Sequence, residues 1–273
     1  MYDITCSIVV YKSDRAQLRK AAQSFLNSSL NVKLYVLDNS PSDQLKQALD
    51  GLNVEYIFNG KNRGFGPAHN QILSGVHDKS KYHLILNPDV YFGSGTIEKI
   101  FNFMEGNGNI GLVMPKVLYP AGSLQYLCRL LPSPCDSLLR KINIKMLDHL
   151  LKARKSRYEL RFADYNKQME VPYLSGCFMF IRTEAFKKTG IFDERFFLYF
   201  EDVDLSRRIN KAYRNVYFPE AVIHHGYERG SEKNIKLFWQ LILSCVKYFN
   251  KWGWFIDQER SLINAATITK LKE

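Results

Sequence analysis

Apolar residues recur with two periods along this chain, and the alternation between them predicts its elements. Residues 4–11 (ITCSIVVY) form an apolar, β-branched run typical of a buried strand, and residues 15–29 carry Leu18, Ala22, Phe25 and Leu26 on one helical face. The unit repeats. Residues 33–37 (KLYVL) read as a second strand closed by Asp38, Asn39, Ser40 and Pro41, and Leu45, Ala48 and Leu49 mark a short helix after it. A third strand is expected over 54–58 and a helix from about Pro67. Leu84, Ile85 and Leu86 give a fourth strand, which Pro88 stops because proline has no N–H for the ladder. The order βαβαβαβ predicts an α/β fold built on a parallel sheet with right-handed crossovers.

Beyond this repeat, residues 96–104 fit a helix, and residues 110–114 fit a strand interrupted by Pro115. Residues 140–167 hold nine basic residues against three acidic ones, interleaved with Ile142, Ile144, Met146, Leu147, Leu150 and Leu151. A basic amphipathic helix or hairpin is expected there. Order resumes with the strand-like VPYLSGCFMFIR at 171–182, and Thr183 reads as the N-cap of a short helix ended by Gly190. Glu201 opens a helix containing Leu205, Ile209 and Ala212, residues 215–218 read as a last strand, and residues 234–254 form an aromatic, lysine-bearing amphipathic stretch.

A chain of 273 residues with 46% hydrophobic content supports one large domain with an appendage. The expected division is a catalytic domain over 1–230, a basic helical insertion at about 125–168, and a helical tail over 231–273. The formal charge of +11 points to an anionic partner: nucleic acid, a phosphorylated substrate or an acidic membrane surface. Five scattered cysteines without metal-ligand spacing read as reduced thiols. No basic leader precedes the first strand and no window reaches transmembrane length, so a cytoplasmic protein is expected, meeting the membrane only peripherally.

Several polar groups then read as chemistry. Asp38 and Asp89 each end a strand at the same sheet edge, the edge where open α/β sheets bind ligands. Asp38 could accept hydrogen bonds from a base or ribose, or cap a turn. Asp89, with Asn87 two residues before it, suits a hard cation that grips phosphate oxygens. In the loop at 62–70 (NRGFGPAHN), two glycines admit close approach to backbone amides and Arg63 adds positive charge. The missing side chain at Gly176, after Ser175, could let a sugar approach. Three acids within residues 201–204 follow an aromatic run and suit a general base beside an aromatic wall. His224 and His225 point to opposite sides of a strand, so only one could face that site.

In order, IVVY, VLDNS, NRGFGPAHN, LNPDV, LSGCFMFIR, FLYFEDVDLSRR and VIHHG resemble family 2 glycosyltransferases of the GT-A fold, and within them bacterial rhamnosyltransferases of O-antigen and surface polysaccharide synthesis. The resemblance spans about residues 3–230. It implies a mostly parallel central sheet flanked by helices, and it implies roles for particular residues. Asp38 matches the acid that contacts the nucleotide base, with Val10 and Tyr11 lining the same pocket. Asn62, Gly64 and Asn70 match the nucleotide-proximal loop and helix. Asn87 and Asp89 stand at the DxD metal motif, with Asn replacing the first acid. Asp202 matches the catalytic base, Glu201 supports it, and His224 is the better match to the metal-binding histidine. Ser175 and Gly176 would meet the sugar or acceptor. The implied reaction moves a sugar, L-rhamnose from dTDP-rhamnose, with inversion to a lipid-linked or growing saccharide, using Mg²⁺ or Mn²⁺. A UDP-hexose or galactofuranose donor fits the same residues.

Two rivals are weaker. A nucleotidyltransferase would be expected to carry a basic glycine-rich loop at the first strand-to-helix turn, and YKSDR at 11–15 has no glycine. A non-catalytic protein binding nucleic acid or anionic lipid would not need these acids on one edge, and nucleic-acid binding would betray itself by a steep salt slope. No nucleic-acid partner is expected.

Overall fold

A computed structural model describes residues 1–138, 148–226 and 235–273. Among them, β1 (Tyr2–Val10), β2 (Val32–Asp38), β3 (Val54–Phe58) and β4 (Ser80–Leu86) lie parallel in the order β3-β2-β1-β4. Their register pairs Val10 with Asp38 and Asp38 with Phe58, so the carboxyl ends of these strands share one edge. Helix α1 (Arg15–Leu26) buries Leu18, Ala21, Ala22 and Phe25, and Asp14 caps it by accepting from the Gln17 N–H at 2.9 Å. Gln44–Leu49 is a 3₁₀ helix, and α2 (Phe65–Leu73) starts two residues before Pro67.

The second half is mixed, not parallel. After β5 (Val90–Phe92), α3 (Thr96–Glu105) and β6 (Ile110–Leu118), the sheet continues β4-β10-β6-β11-β5, with β10 (Phe178–Arg182) antiparallel to β4 and β6. Strand β11 (Arg214–His225) is parallel to β6 and antiparallel to β5 and to β8 (Met169–Glu170). Contrary to expectation, β6 runs through Pro115. That residue pairs with Phe218, where β11 slips register before Val222, so the missing N–H falls at an irregularity of the ladder. Thr183 does not cap α6 (Ala185–Thr189) either. Its hydroxyl donates back to the Ser80 and Lys81 carbonyls, joining β10 to β4.

The run 171–182 divides at Ser175–Cys177. Its first part, β9 (Tyr173–Leu174), pairs with β7 (Cys128–Arg129) in a ribbon beside the main sheet. Of the basic stretch, residues 139–147 lie outside the described residues. The flanks form α4 (Pro134–Leu138) and α5 (Asp148–Tyr158), and Leu127, Leu130, Tyr158, Leu160 and Tyr165 belong to the main core.

A polar chain crosses that core. Ser80, Thr5, His83, Ser7 and His69 are linked side chain to side chain at 2.7–2.8 Å. Burial lowers both histidine pKa values, that of His83 to about 3, so the imidazoles are neutral partners.

Helices α8 (Ile235–Trp252) and α9 (Gln258–Lys270) are locked onto α7 (Glu201–Ile209). Arg207, 1% exposed, makes a bidentate pair with Asp257 at 2.7 and 2.8 Å. Phe196 and Phe200 pack with Tyr248 and Phe249 of α8. Within the described residues no helix is long and apolar enough to cross a membrane.

Candidate active site

The edge at which β4 ends is also the edge at which β10 begins, because the two are antiparallel. The Asn87 N–H donates to the Cys177 carbonyl at 2.9 Å, bringing the Asn-Pro-Asp turn against the Ser175–Cys177 loop. Between these segments and α8 lies a cavity of about 570 Å³, within the range of small-ligand sites. Tyr11, Phe65, Asn87, Asp89, Ser175, Gly176, Glu201, Asp202 and His225 all line it.

The pairing of β5 with β11 decides which histidine meets Asp89. His225 is opposite Val90, so its Nε2 stands 3.4 Å from Asp89 Oδ2. Its Nδ1 faces Gln125 Oε1 at 3.0 Å, a partner that fixes the ring. Burial acts to lower the His225 pKa, but Cys177 and Asp89 outweigh it and hold it up to about 10. His224 points the other way and stacks on Tyr91, with centroids 5.0 Å apart. The preference for His224 is therefore reversed by strand alternation: His225 faces the cavity. Among the described residues no three His, Cys, Asp or Glu side chains gather as a metal cage. Asp89 supplies an oxygen, and His225 a nitrogen once its Nε2 proton is released, a pair that would fit a divalent cation with further ligands from outside the chain.

Glu201 and Asp202 open α7 after two residues in the left-handed region, Tyr199 (φ 70°) and Phe200 (φ 69°). Such a backbone persists only when its surroundings hold it. Here the Phe197 carbonyl accepts from the Phe65 N–H at 2.8 Å, and the Leu198 carbonyl accepts from Ser244 of α8 at 2.8 Å. The three acids then separate in role. Asp204 is fully buried, bound to Arg208, Lys251 and Trp252, and holds the helices together. Glu201 is 5% exposed; burial first, and the Asp202 charge second, push its carboxyl well above the usual carboxylate range. Its Oε2 has no hydrogen-bond partner among the described residues. Asp202 lines the cavity: Oδ2 accepts from Tyr173 Oη at 3.0 Å and the Gly176 N–H at 2.9 Å, and Oδ1 from the Val203 N–H at 2.8 Å.

Gly176 lines the cavity beside Ser175 and also makes room for Asp202. A Cβ there would lie 3.0 Å from Asp202 Cβ, so the missing side chain admits the carboxylate. Five other expected residues stay off the cavity lining. Val10 is buried beside Asp38. Asp38 is itself fully buried, accepting from the Ser40 N–H at 2.7 Å and from the Tyr56 hydroxyl. Asn62 accepts from the Gly64 N–H at 2.9 Å. Gly64 (φ 89°) admits the Phe197 carbonyl, which a Cβ would meet at 2.4 Å. Asn70 bonds the Phe192 backbone in both directions, at 2.9 and 3.2 Å. The side chains of Asp38, Asn62 and Asn70 are thus bonded to neighbouring groups of the fold. Sequence reasoning missed Gln125, Arg129 and Tyr173, whose partners are distant in sequence; only Tyr173 had a signal, its closeness to Ser175-Gly176.

Residues 5–190 match the model of glycosyl transferase family 2. The chain is 29% identical over 242 residues to the N-acetylglucosaminyl-diphospho-decaprenol L-rhamnosyltransferase of Mycobacterium tuberculosis, covering 82% of this chain and 77% of the relative. It is 25% identical over 252 residues to the rhamnosyltransferase WbbL of Escherichia coli, covering 88% and 90%. A third relative is the low-salt glycan biosynthesis hexosyltransferase Agl10 of Haloferax volcanii, 24% identical over 216 residues, or 78% and 64%. In fold, the chain is similar to the crystal structure of GalNAc-T7 with UDP, GalNAc and Mn²⁺, with a TM-score of 0.57 at 14% identity. That match covers 89% of this chain and 48% of the other. With a mixed sheet flanked by helices and a family match over most of its length, this chain has the GT-A fold and is a transferase belonging to glycosyl transferase family 2.

Proposed function

We propose that this transferase moves L-rhamnose from dTDP-rhamnose to a hydroxyl of a lipid-linked saccharide, with inversion and with Mg²⁺ or Mn²⁺. One observation carries the reading: Asp89 and His225 on one wall of a cavity and Asp202 on another. Two relatives named as rhamnosyltransferases, one of them for a diphospho-decaprenol acceptor, support the choice of sugar and acceptor.

Asp89 and His225 would hold the cation, with Asn87 beside them at the cavity wall. When bound, the cation neutralises charge on the departing diphosphate, a Lewis-acid contribution of about several kcal/mol. Asp202 takes the proton of the acceptor hydroxyl as the new oxygen–carbon bond forms and the bond from the anomeric carbon to the diphosphate oxygen breaks. A single displacement inverts the anomeric centre and leaves no sugar on the protein. Glu201, beside Asp202 in the cavity wall, is the support: burial and the Asp202 charge both disfavour a second negative charge there.

Helix α8 supports peripheral contact with the cytoplasmic face of the membrane that carries such an acceptor. Leu241, Ile242 and Cys245 line the cavity, while Ile235, Trp239, Leu243 and Val246 are solvent-exposed along the helix, as are Phe255 and Ile256 beyond it. We divide the chain into a catalytic domain over 1–230, containing the basic segment, and the helical tail over 231–273.

Calorimetry of dTDP-rhamnose, UDP-hexoses and UDP-galactofuranose, with and without Mn²⁺, tests the donor. Metal-dependent binding of dTDP-rhamnose alone is expected, and binding of a UDP-sugar in its stead would replace the donor. Sedimentation with anionic vesicles is the parallel arm, and protein left wholly in the supernatant would remove the membrane contact.

A further inference from the structure

The ribbon of β7 and β9 pairs Arg129 directly opposite Tyr173, and Cys128 opposite Leu174. Residues directly opposite on an antiparallel pair share a face. Cys128 and Leu174 are fully buried in the main core, whereas Arg129 and Tyr173 line the cavity. Arg129 Nη1 donates to the Tyr173 hydroxyl oxygen at 3.2 Å, and the Tyr173 hydroxyl reaches Asp202 Oδ2 at 3.0 Å. Both residues are under 9% exposed, so the chain is largely sheltered from water.

We propose that Arg129 and Tyr173 are positioning residues that orient Asp202 so that Oδ1 is the oxygen receiving the acceptor proton. The inference rests on the reading of Asp202 as the base. Donor and acceptor counting gives the direction. A guanidinium can only donate, so Arg129 occupies an acceptor site of the tyrosine oxygen and turns the hydroxyl proton towards Asp202. Oδ2 then accepts two hydrogen bonds, from Tyr173 and the Gly176 N–H, which fill its two lone pairs. Oδ1 accepts one, from the Val203 N–H, and keeps a lone pair for the acceptor hydroxyl. The two-residue ribbon thus couples a core strand pair to the aim of one carboxylate oxygen.

Steady-state kinetics of Tyr173→Phe, Arg129→Met, Arg129→Lys and the double variant Tyr173→Phe/Arg129→Met test this, with Asp202→Asn as reference. Tyr173→Phe and Arg129→Met are each expected to lower kcat roughly 10-fold with donor KM unchanged, because only the aim of the base is lost. Arg129→Lys, still a pure donor, should recover most of the loss seen with methionine, and the double variant should be no slower than Tyr173→Phe. Wild-type kcat in Tyr173→Phe, alongside an inactive Asp202→Asn, overturns the proposal and leaves the base assignment standing. A double variant slower than Tyr173→Phe, with a raised acceptor KM, also overturns it, because Arg129 then acts on the acceptor itself. Full turnover in Asp202→Asn removes the underlying reading instead. Should Tyr173→Phe fail to fold, the comparison of Arg129→Lys with Arg129→Met still decides: equal losses in the two overturn the proposal.

Discussion

Asp38, Asn62 and Asn70, on the parallel half of the molecule, direct their side chains at neighbouring groups of the fold, whereas Asp89, Asp202 and His225 meet in one cavity where the antiparallel strands join. All six are polar residues that sequence reasoning selected or weighed for the same site. The difference lies in what each faces. A parallel strand end followed at once by a turn satisfies its polar side chain locally, as Asp38 does with the Ser40 N–H two residues on. Asn70 is likewise taken up, by the Phe192 backbone 122 residues away, whereas space remains between the segments that converge at Asp89 and Asp202.

The comparison breaks first at Asp202. Asp202→Asn should lower turnover by about 10²–10⁴ while donor binding measured by calorimetry stays near wild type, because a base acts in the transition state and not in the donor complex. Turnover near wild type would move the base elsewhere and dissolve the contrast between the two halves.

Gly64 sharpens the other side. Its φ of 89° and the 2.4 Å approach that a Cβ would make to the Phe197 carbonyl predict that Gly64→Ala destabilises the fold by about 2 kcal/mol. For a chain of this size that lowers Tm by about 4–8 °C. The loss should appear in thermal unfolding before it appears in donor affinity at low temperature. A variant of wild-type Tm that no longer binds donor would instead make the loop a binding element.

How far the sequence was legible follows from the range of the interactions. Strands β1 to β4 and their helices were readable because apolar runs and stop signals are local, and the span of β3 emerged without change. The acids at 201–204 were readable as a site because they are adjacent in sequence, but their division of labour was not. Asp204 is committed to Trp252 and Lys251, some fifty residues away. The passage of β6 through Pro115 depends on a register slip in β11, about a hundred residues later. Strand β5 is three residues long and exists only because β11 returns beside it. Arg129 and Tyr173 are neighbours solely through the ribbon.

The smallest effect concerns the adjacent histidines, where that dependence on partner strands changes a residue assignment. The family resemblance favoured His224, yet the pairing of Val90 with His225 turns the second ring towards Asp89. His224→Ala removes a partly exposed ring stacked on Tyr91, an interaction of about 0.5–1.5 kcal/mol, and should leave metal-dependent donor binding within about twofold of wild type. His225→Ala removes one of the two proposed cation ligands and should weaken that binding by about tenfold or more, in line with losses seen even when groups behind a metal ligand are removed. Isothermal titration of both variants with donor and Mn²⁺ reads the difference directly. If His224→Ala carried the larger loss, strand β11 would have to sit one residue out of register at its end, because a slip of one residue exchanges the two faces. The same slip would part His225 from Gln125, so the binding data and the pairing of β5 with β11 stand or fall together.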